Sequence, residues 1–167
     1  YEKMLYDQAM LAMVHLEAYQ ATRREEYATT ARQIFTYVLR DLRSSKGGFY
    51  AAEDADEAYY TAKDRTKLRR PGRDEKILAD WNGLMIAALA LGASVLDEPQ
   101  YAEAAAKAAR DVLARRRPLL DDHAFVVWGL LNLYEATFDV RWLEHAITAE
   151  NGTRSQFLHG SFHLTPP

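Results

Sequence analysis

Three stretches of this chain can be laid over one another, and that internal repeat limits the fold more than any other feature. Aligned on Tyr27, Tyr101 and Trp142, each repeat carries an alanine four residues later, at Ala31, Ala105 and Ala146. Nineteen residues before the anchors stand Gln8, Asn82 and His123, and twenty before them Asp7, Trp81 and Asp122. Apolar residues around these markers recur at helical spacing, as in Leu5, Ala9, Ala12, Met13 and Leu16, then Ala28, Ala31, Ile34, Phe35, Val38 and Leu42. From Glu2 to Ser45 there is neither proline nor glycine. The spacing predicts helices over about 4–21, 25–43, 80–96, 99–115, 121–137 and 140–150. Arg23-Arg24, Asp97-Glu98-Pro99 and Phe138-Asp139 fall between paired helices, and a proline is at home in a first helical turn. Turns this short make each pair antiparallel.

Three hairpins are therefore expected, over about 4–43, 80–115 and 121–150, within one domain of 167 residues. Residues of about 51–79 read as a polar linker broken at Pro71-Gly72. Short extended pieces are expected at Phe49-Tyr50 and in the tail from Phe157 to Thr165. Hairpins repeated in register build a solenoid or close into an α/α toroid. In a toroid the first helix of each hairpin lines the inside, so Gln8, Asn82 and His123 would meet at one mouth. A closed ring of six hairpins needs about 12 helices and about 300–360 residues. Three hairpins would leave inner-helix faces open unless a second copy of the chain or further segments cover them.

With 49% hydrophobic residues and a net charge of −3, the chain has material for a core. It has no overall electrostatic footprint for nucleic acid or an anionic membrane. Cysteine is absent, which excludes disulfides, thiolate metal sites and thiol catalysis within these residues. No apolar run approaches the roughly 20 residues that span a bilayer, so neither a nucleic-acid nor a membrane partner is expected. The start, Tyr1 to Asp7, lacks an initiator methionine and is no signal peptide. It reads as a cut end, and a cytoplasmic location is expected. The cations Lys63, Arg65, Lys67, Arg69, Arg70, Arg73 and Lys76 crowd the linker without interleaved aromatics or a glycine-rich phosphate loop. A solvated loop is the ordinary reading of such a run. The alternative is an arginine that reaches into the mouth to hold an anionic sugar group.

Several blocks, taken in order, are familiar. They are Glu2-Lys3-Met4-Leu5-Tyr6-Asp7-Gln8-Ala9; Gly47-Gly48-Phe49-Tyr50 with Glu53-Asp54-Ala55-Asp56; Lys76 to Met85, with Asp80-Trp81-Asn82 at its centre; and Leu130 to Trp142. Together they resemble the thioredoxin-domain-containing proteins of the spermatogenesis-associated type. The resemblance implies a thioredoxin-like domain followed by a six-hairpin α/α toroid, similar to that of N-acylglucosamine 2-epimerase and several glycoside hydrolases. These 167 residues are expected to lack the thioredoxin-like domain, and the stretches after Asp56 and around Arg115 to Leu120 are short. The tail ends near residues 160–165, where the family continues into further hairpins. The fold expected is all-α: antiparallel hairpins forming part of an (α/α)6 toroid, with minor short strands.

The residues that could carry chemistry gather at the helix starts and in the linker. Glu53, Asp54 and Asp56 form an acidic cluster that could supply an acid–base pair, hold a divalent cation without an EF-hand glycine pattern, or simply cap a helix. Asp80-Trp81-Asn82 opens a helix, where Trp81 could stack on a sugar ring and the polar pair could bind it or cap backbone N–H groups. Asp122 beside His123 offers a carboxylate and an imidazole, although neighbours on a helix point about 100° apart. The candidate catalytic residues are thus Asp54, Asp56, Asp122 and His123. The candidate substrate-binding residues are Glu53, Asp80, Trp81, Asn82 and Gln8. These groups are expected to share one end of the bundle. Neither a metal nor a cofactor is expected. A carbohydrate bound or processed at the mouth is the expected function, by hydrolysis or epimerisation. The alternative is a non-catalytic binding or scaffold module.

Overall fold

The computed structural model describes residues 2–159 and 161–166. Strand β1 (Lys3–Met4) leads into helix α1 (Leu5–Thr22), which turns back as α2 (Glu25–Tyr37) and a π-helical turn at Val38–Leu42. Strand β2 (Ala52–Glu53), the short helix α3 (Glu57–Thr61) and strand β3 (Arg73–Asp74) follow. Two further hairpins are built from α4 (Ala79–Leu96) with α5 (Pro99–Leu113), and α6 (Leu120–Thr137) with α7 (Val140–Phe157). Strands β4 (Leu158–His159) and β5 (Ser161–Phe162) pair antiparallel at the tail.

Helices α1, α4 and α6 stand in a row, with α4 between the other two and α2, α5 and α7 behind them. Helix α4 explains the row. Every residue from Asn82 to Ala90 is buried, and a helix that is apolar all round belongs in a core. Ala79–Leu96 is in fact long and apolar enough, by length and composition, to cross a membrane, contrary to the sequence expectation that no run approaches that length. Here 72% of it is buried inside the protein, so its apolar surface is spent on neighbouring helices. Helices α4 and α6 run parallel and touch backbone to backbone. A methyl group at Gly83 would overlap the Phe125 backbone, and one at Gly129 would lie 2.7 Å from the Gly83 carbonyl oxygen.

The repeat is visible in the turns. Arg23, Asp97 and Phe138 adopt left-handed backbone, with φ of 58°, 56° and 52°, each four residues before its anchor. Their N–H groups close the preceding helices on the carbonyls of Tyr19, Ala93 and Tyr134. The repeat alanines Ala31, Ala105 and Ala146 are buried, and the Tyr101 ring packs on Phe35 with centroids 4.7 Å apart.

Three segments differ from the sequence expectation. The second helix loosens into a π turn at Val38, which leaves Asp41 buried beside Val38 and Leu42. Residues 51–79 supply two strands of a three-stranded antiparallel sheet, β1-β2-β3, in which Lys3 faces Glu53 and Ala52 faces Asp74. The last helix runs on to Phe157 because its C-terminal turns bury Thr153 and Phe157. The row's two flanks are apolar and open: Met10, Leu11 and Val14 on α1, Trp128 and Leu131 on α6.

Gly83→Ala and Gly129→Ala should each lower stability by about 1–3 kcal/mol, as added volume does in a tight contact. Gly152→Ala on α7, which has nothing within 4 Å, should be neutral or stabilise by up to about 1 kcal/mol. Urea denaturation of the three variants checks this contrast.

Candidate functional site

The first turns of α1, α4 and α6 share one end of the row, and each carries acid: Asp7, Asp80, and Asp121 with Asp122. Carboxylates there are favoured by the helix dipole. Tyr6 of α1 meets Trp81 of α4 edge to face, with centroids 4.8 Å apart and planes at 64°. Between this aromatic corner and α6 lies the half-buried Asp80, whose Oδ1 accepts the Trp81 N–H at 2.8 Å. Burial pushes the Asp80 carboxyl above its ordinary value of 3.8; the Trp81 N–H opposes this, while the charges of Asp122 and Asp121 add to the upward shift. A mainly apolar groove of about 360 Å³ opens beside Asp121, between α6 and α7, with Phe162 at its rim.

Other candidates at this end are already engaged by the fold. Asn82 is wholly buried. Its Oδ1 accepts the Phe49 N–H at 2.8 Å, and its Nδ2 donates to the carbonyls of Phe49 and Leu78 at 3.0 and 2.8 Å. It clamps the chain at Phe49 onto α4, which corrects the reading of Asn82 as a substrate ligand. His123 is also buried; its Nε2 bonds the Arg117 carbonyl at 2.8 Å and its ring packs on Phe157. That places the imidazole toward α7, with its buried Nδ1 making no hydrogen bond. Asp122 accepts the Leu119 N–H at 3.0 Å, which caps α6 and fixes one carboxylate oxygen. Asp56 caps α3 through the Tyr59 N–H at 2.8 Å and so has the structural role that the sequence offered as an alternative. Gln8 is half-buried and Asp54 exposed, the latter lying over Gly72.

Glu53 turns out to be the centre of a buried ionic network. It is 1% exposed. Tyr37 and Tyr60 donate their hydroxyls to its two oxygens at 2.9 Å each, and Arg70 adds a contact at 3.2 Å. The same Arg70 reaches Asp41 at 2.8 Å, and Arg40 holds Asp41 from the other side. Lys3 lies 3.9 Å over the Tyr60 ring and 4.9 Å over that of Tyr37. Burial lowers the Lys3 pKa, partly offset by the Glu53 charge. Burial raises the Glu53 carboxyl, but the two tyrosines and Arg70 together hold it below its usual range; Asp41 is held lower still by Arg70 and Arg40. The sequence singled out Glu53, the basic run and the linker tyrosine Tyr60 separately, and missed Tyr37 and Asp41. Their spacing carries no signal, because the sheet and the π turn bring them together. Among the described residues no group of three or more acidic or histidine side chains is arranged to hold a metal ion. A separate groove of about 630 Å³ lies at the opposite end of the row, between Asp97 and Trp142.

Parallel inner helices backed by antiparallel outer ones, with polar groups at the inner-helix starts, define an arc of a six-hairpin α/α toroid. Solved structures of this fold match the chain: an α-1,6-mannanase variant from Salegentibacter sp. HEL1_6 at 16% identity and TM-score 0.78, covering 99% of this chain and 51% of that one, and a sugar epimerase from a ruminal bacterium at 11% identity and TM-score 0.76, covering 96% and 46%. In sequence the chain is similar to proteins of the spermatogenesis-associated type, as its motifs suggested. It is 26% identical to human spermatogenesis-associated protein 20 over 275 positions, covering 90% of this chain and 35% of that protein. No family model matches. The chain thus spans about a third of the curated relative and about half of the solved toroids. The 275 aligned positions exceed the 167 residues present, so the relative carries residues between the matched blocks that this chain lacks.

Because the folded pKa of Glu53 lies below the ordinary 4.5, its contribution is complete above that value and is lost as pH falls through the folded pKa. Acid titration of unfolding should show stability declining from about pH 4.5 downward, with Glu53→Gln flattening that limb. Glu53→Ala should cost about 2–4 kcal/mol, since Arg70 and two hydroxyls lose their acceptor.

Proposed function

We propose that the first turns of α1, α4 and α6 form part of a carbohydrate-binding mouth, and that Asp80 is its proton donor. The observation that supports this is the half-buried Asp80 carboxyl with its raised pKa, set between the Tyr6–Trp81 corner and the carboxylates of Asp121 and Asp122. An indole face matches the C–H face of a pyranose. A carboxyl that keeps its proton to higher pH can give it to a glycosidic oxygen as the bond breaks, while a neighbouring ionised carboxylate stabilises positive charge on the ring carbon or takes a proton from water. Asp122, oriented by the Leu119 N–H, suits the second role.

The comparisons supply the context: glycoside hydrolases and sugar epimerases share this fold, although a fold alone does not determine a reaction. The position of His123, turned toward Phe157, favours hydrolysis over a histidine-based epimerisation. The open apolar flanks of α1 and α6 favour the second reading, a binding or scaffold module acting with further protein.

Calorimetric titration with a panel of neutral oligosaccharides, paired with a hydrolysis assay, tests the proposal. Trp81→Ala should weaken binding about tenfold or more, the scale of a lost aromatic stacking contact. Asp80→Asn should retain binding and abolish turnover. It should also raise stability at pH 7, because folding no longer has to bury that charge. Equal sugar binding by wild type and Trp81→Ala, or undiminished turnover in Asp80→Asn, would overturn the assignment.

A further inference from the structure

Behind the row, the chain between the π turn and β2 folds against the outer helix α5. Gly47 has φ of +108°, and its α-carbon sits so close to Lys107 that any side chain would meet the Lys107 backbone at 3.1 Å. Glycine there is what lets the turn seat on α5 and brings Lys107 beside it. The result is a pocket of about 390 Å³ lined by Arg43, Ser44, Ser45, Lys46, Gly47 and Lys107. We propose that this pocket binds a tetrahedral oxyanion, the phosphate or sulfate group of a small ligand or the free ion.

Four features converge on that chemistry. Arg43, Lys46 and Lys107 bring three positive charges to one pocket, and none of them forms an ion pair among the described residues. The nearby carboxylates are already committed: Asp111 takes Arg115 on both oxygens at 3.0 Å, and Asp41 takes Arg40 and Arg70. Ser44 is 9% exposed, and its hydroxyl is buried with no hydrogen-bond partner, a state that native proteins seldom leave unexplained. The turn's own bonds run from Ser44 N–H to the Gly48 carbonyl at 2.8 Å and from Gly47 N–H to the Ser44 carbonyl at 3.2 Å. They leave the successive N–H groups of Ser45 and Lys46 unengaged in the turn, the kind of donor pair that cradles anions. Unpaired cations, an unpartnered hydroxyl and free amides are all donors, and an oxyanion offers only acceptors.

The site is independent of the sugar mouth, so its test is separate. Inorganic phosphate is titrated into the full chain by calorimetry at constant ionic strength, with sodium sulfate and a hexose 6-phosphate in parallel. Saturable one-site binding of phosphate and sulfate is expected. It should weaken about tenfold or more in Lys107→Gln and in Ser44→Ala, the scale of one charge-assisted hydrogen bond, and stay unchanged in Lys63→Gln, whose charge lies in the linker. Tighter binding of the hexose phosphate would identify the ligand as a phosphorylated sugar, and equal affinity would identify the free oxyanion. Absence of saturable binding by all three probes would overturn the proposal. So would equal affinity in wild type, Lys46→Gln and Lys107→Gln, the last two being exposed positions whose replacement leaves the fold intact.

Discussion

The close approach of α4 to α6 is the contact on which the rest of the structure depends. Gly83 and Gly129 let the two backbones touch, and the neighbouring Ala87, Ala88 and Ala90 keep α4 thin and buried. Small side chains lose little entropy on burial and permit dense packing. With α4 fixed against α6 on one side and α1 on the other, the three inner helices must start at the same end. The acidic first turns and the Tyr6–Trp81 corner are consequences of that alignment. A bulkier residue at Gly83 or Gly129 would separate the helices and shift Asp80 relative to Asp121 and Asp122.

A second constraint ties the loops to this core. Asn82, buried in the first turn of α4, holds the backbone of Phe49 by a donor and an acceptor at once. Phe49 in turn bridges to Arg43, and the backbone of Tyr50 and Ala51 leads into β2. The position of Glu53 and the shape of the Arg43–Gly47 turn are therefore both set by one amide side chain. Burying an amide is unfavourable unless its hydrogen bonds are made, and here Asn82 makes three. Had Asn82 remained available for a ligand, the turn and the sheet would have lost their attachment.

The Glu53 network spreads the basic run over distinct roles. Arg70 neutralises two buried carboxylates, Arg73 bonds the Asp41 carbonyl, and Arg65 lies near the rings of Tyr59 and Tyr60. A run that reads as solvated charge thus includes an arginine that makes a buried acid pair tolerable. It also holds the segment after β2 against the end of α2. This arrangement accounts for how a stretch rich in charge and poor in apolar residues keeps a defined path.

Much of the architecture was legible in the residues themselves. Apolar spacing gave the six helices, and the recurrence of Tyr27, Tyr101 and Trp142 with their alanines gave the hairpins, because both follow from the 3.6-residue period of a helix and from local burial. The left-handed turns at Arg23, Asp97 and Phe138 were not legible, since none is a glycine and only the geometry of the hairpin imposes that backbone. Asp80 and Trp81 could be picked out as polar and aromatic residues at a helix start, yet nothing in the sequence separated them from Asn82 and His123, which stand at equivalent repeat positions. That division was made by the tertiary structure. Asn82 faces Phe49 and His123 faces Phe157, while Asp80 sits half-buried near other carboxylates, and desolvation and neighbouring charge depend on distances through space. The sequence by itself determined the six long helices and their pairing. Which polar residues became scaffold, and which stayed available for chemistry, was decided only when segments far apart in the chain were packed together.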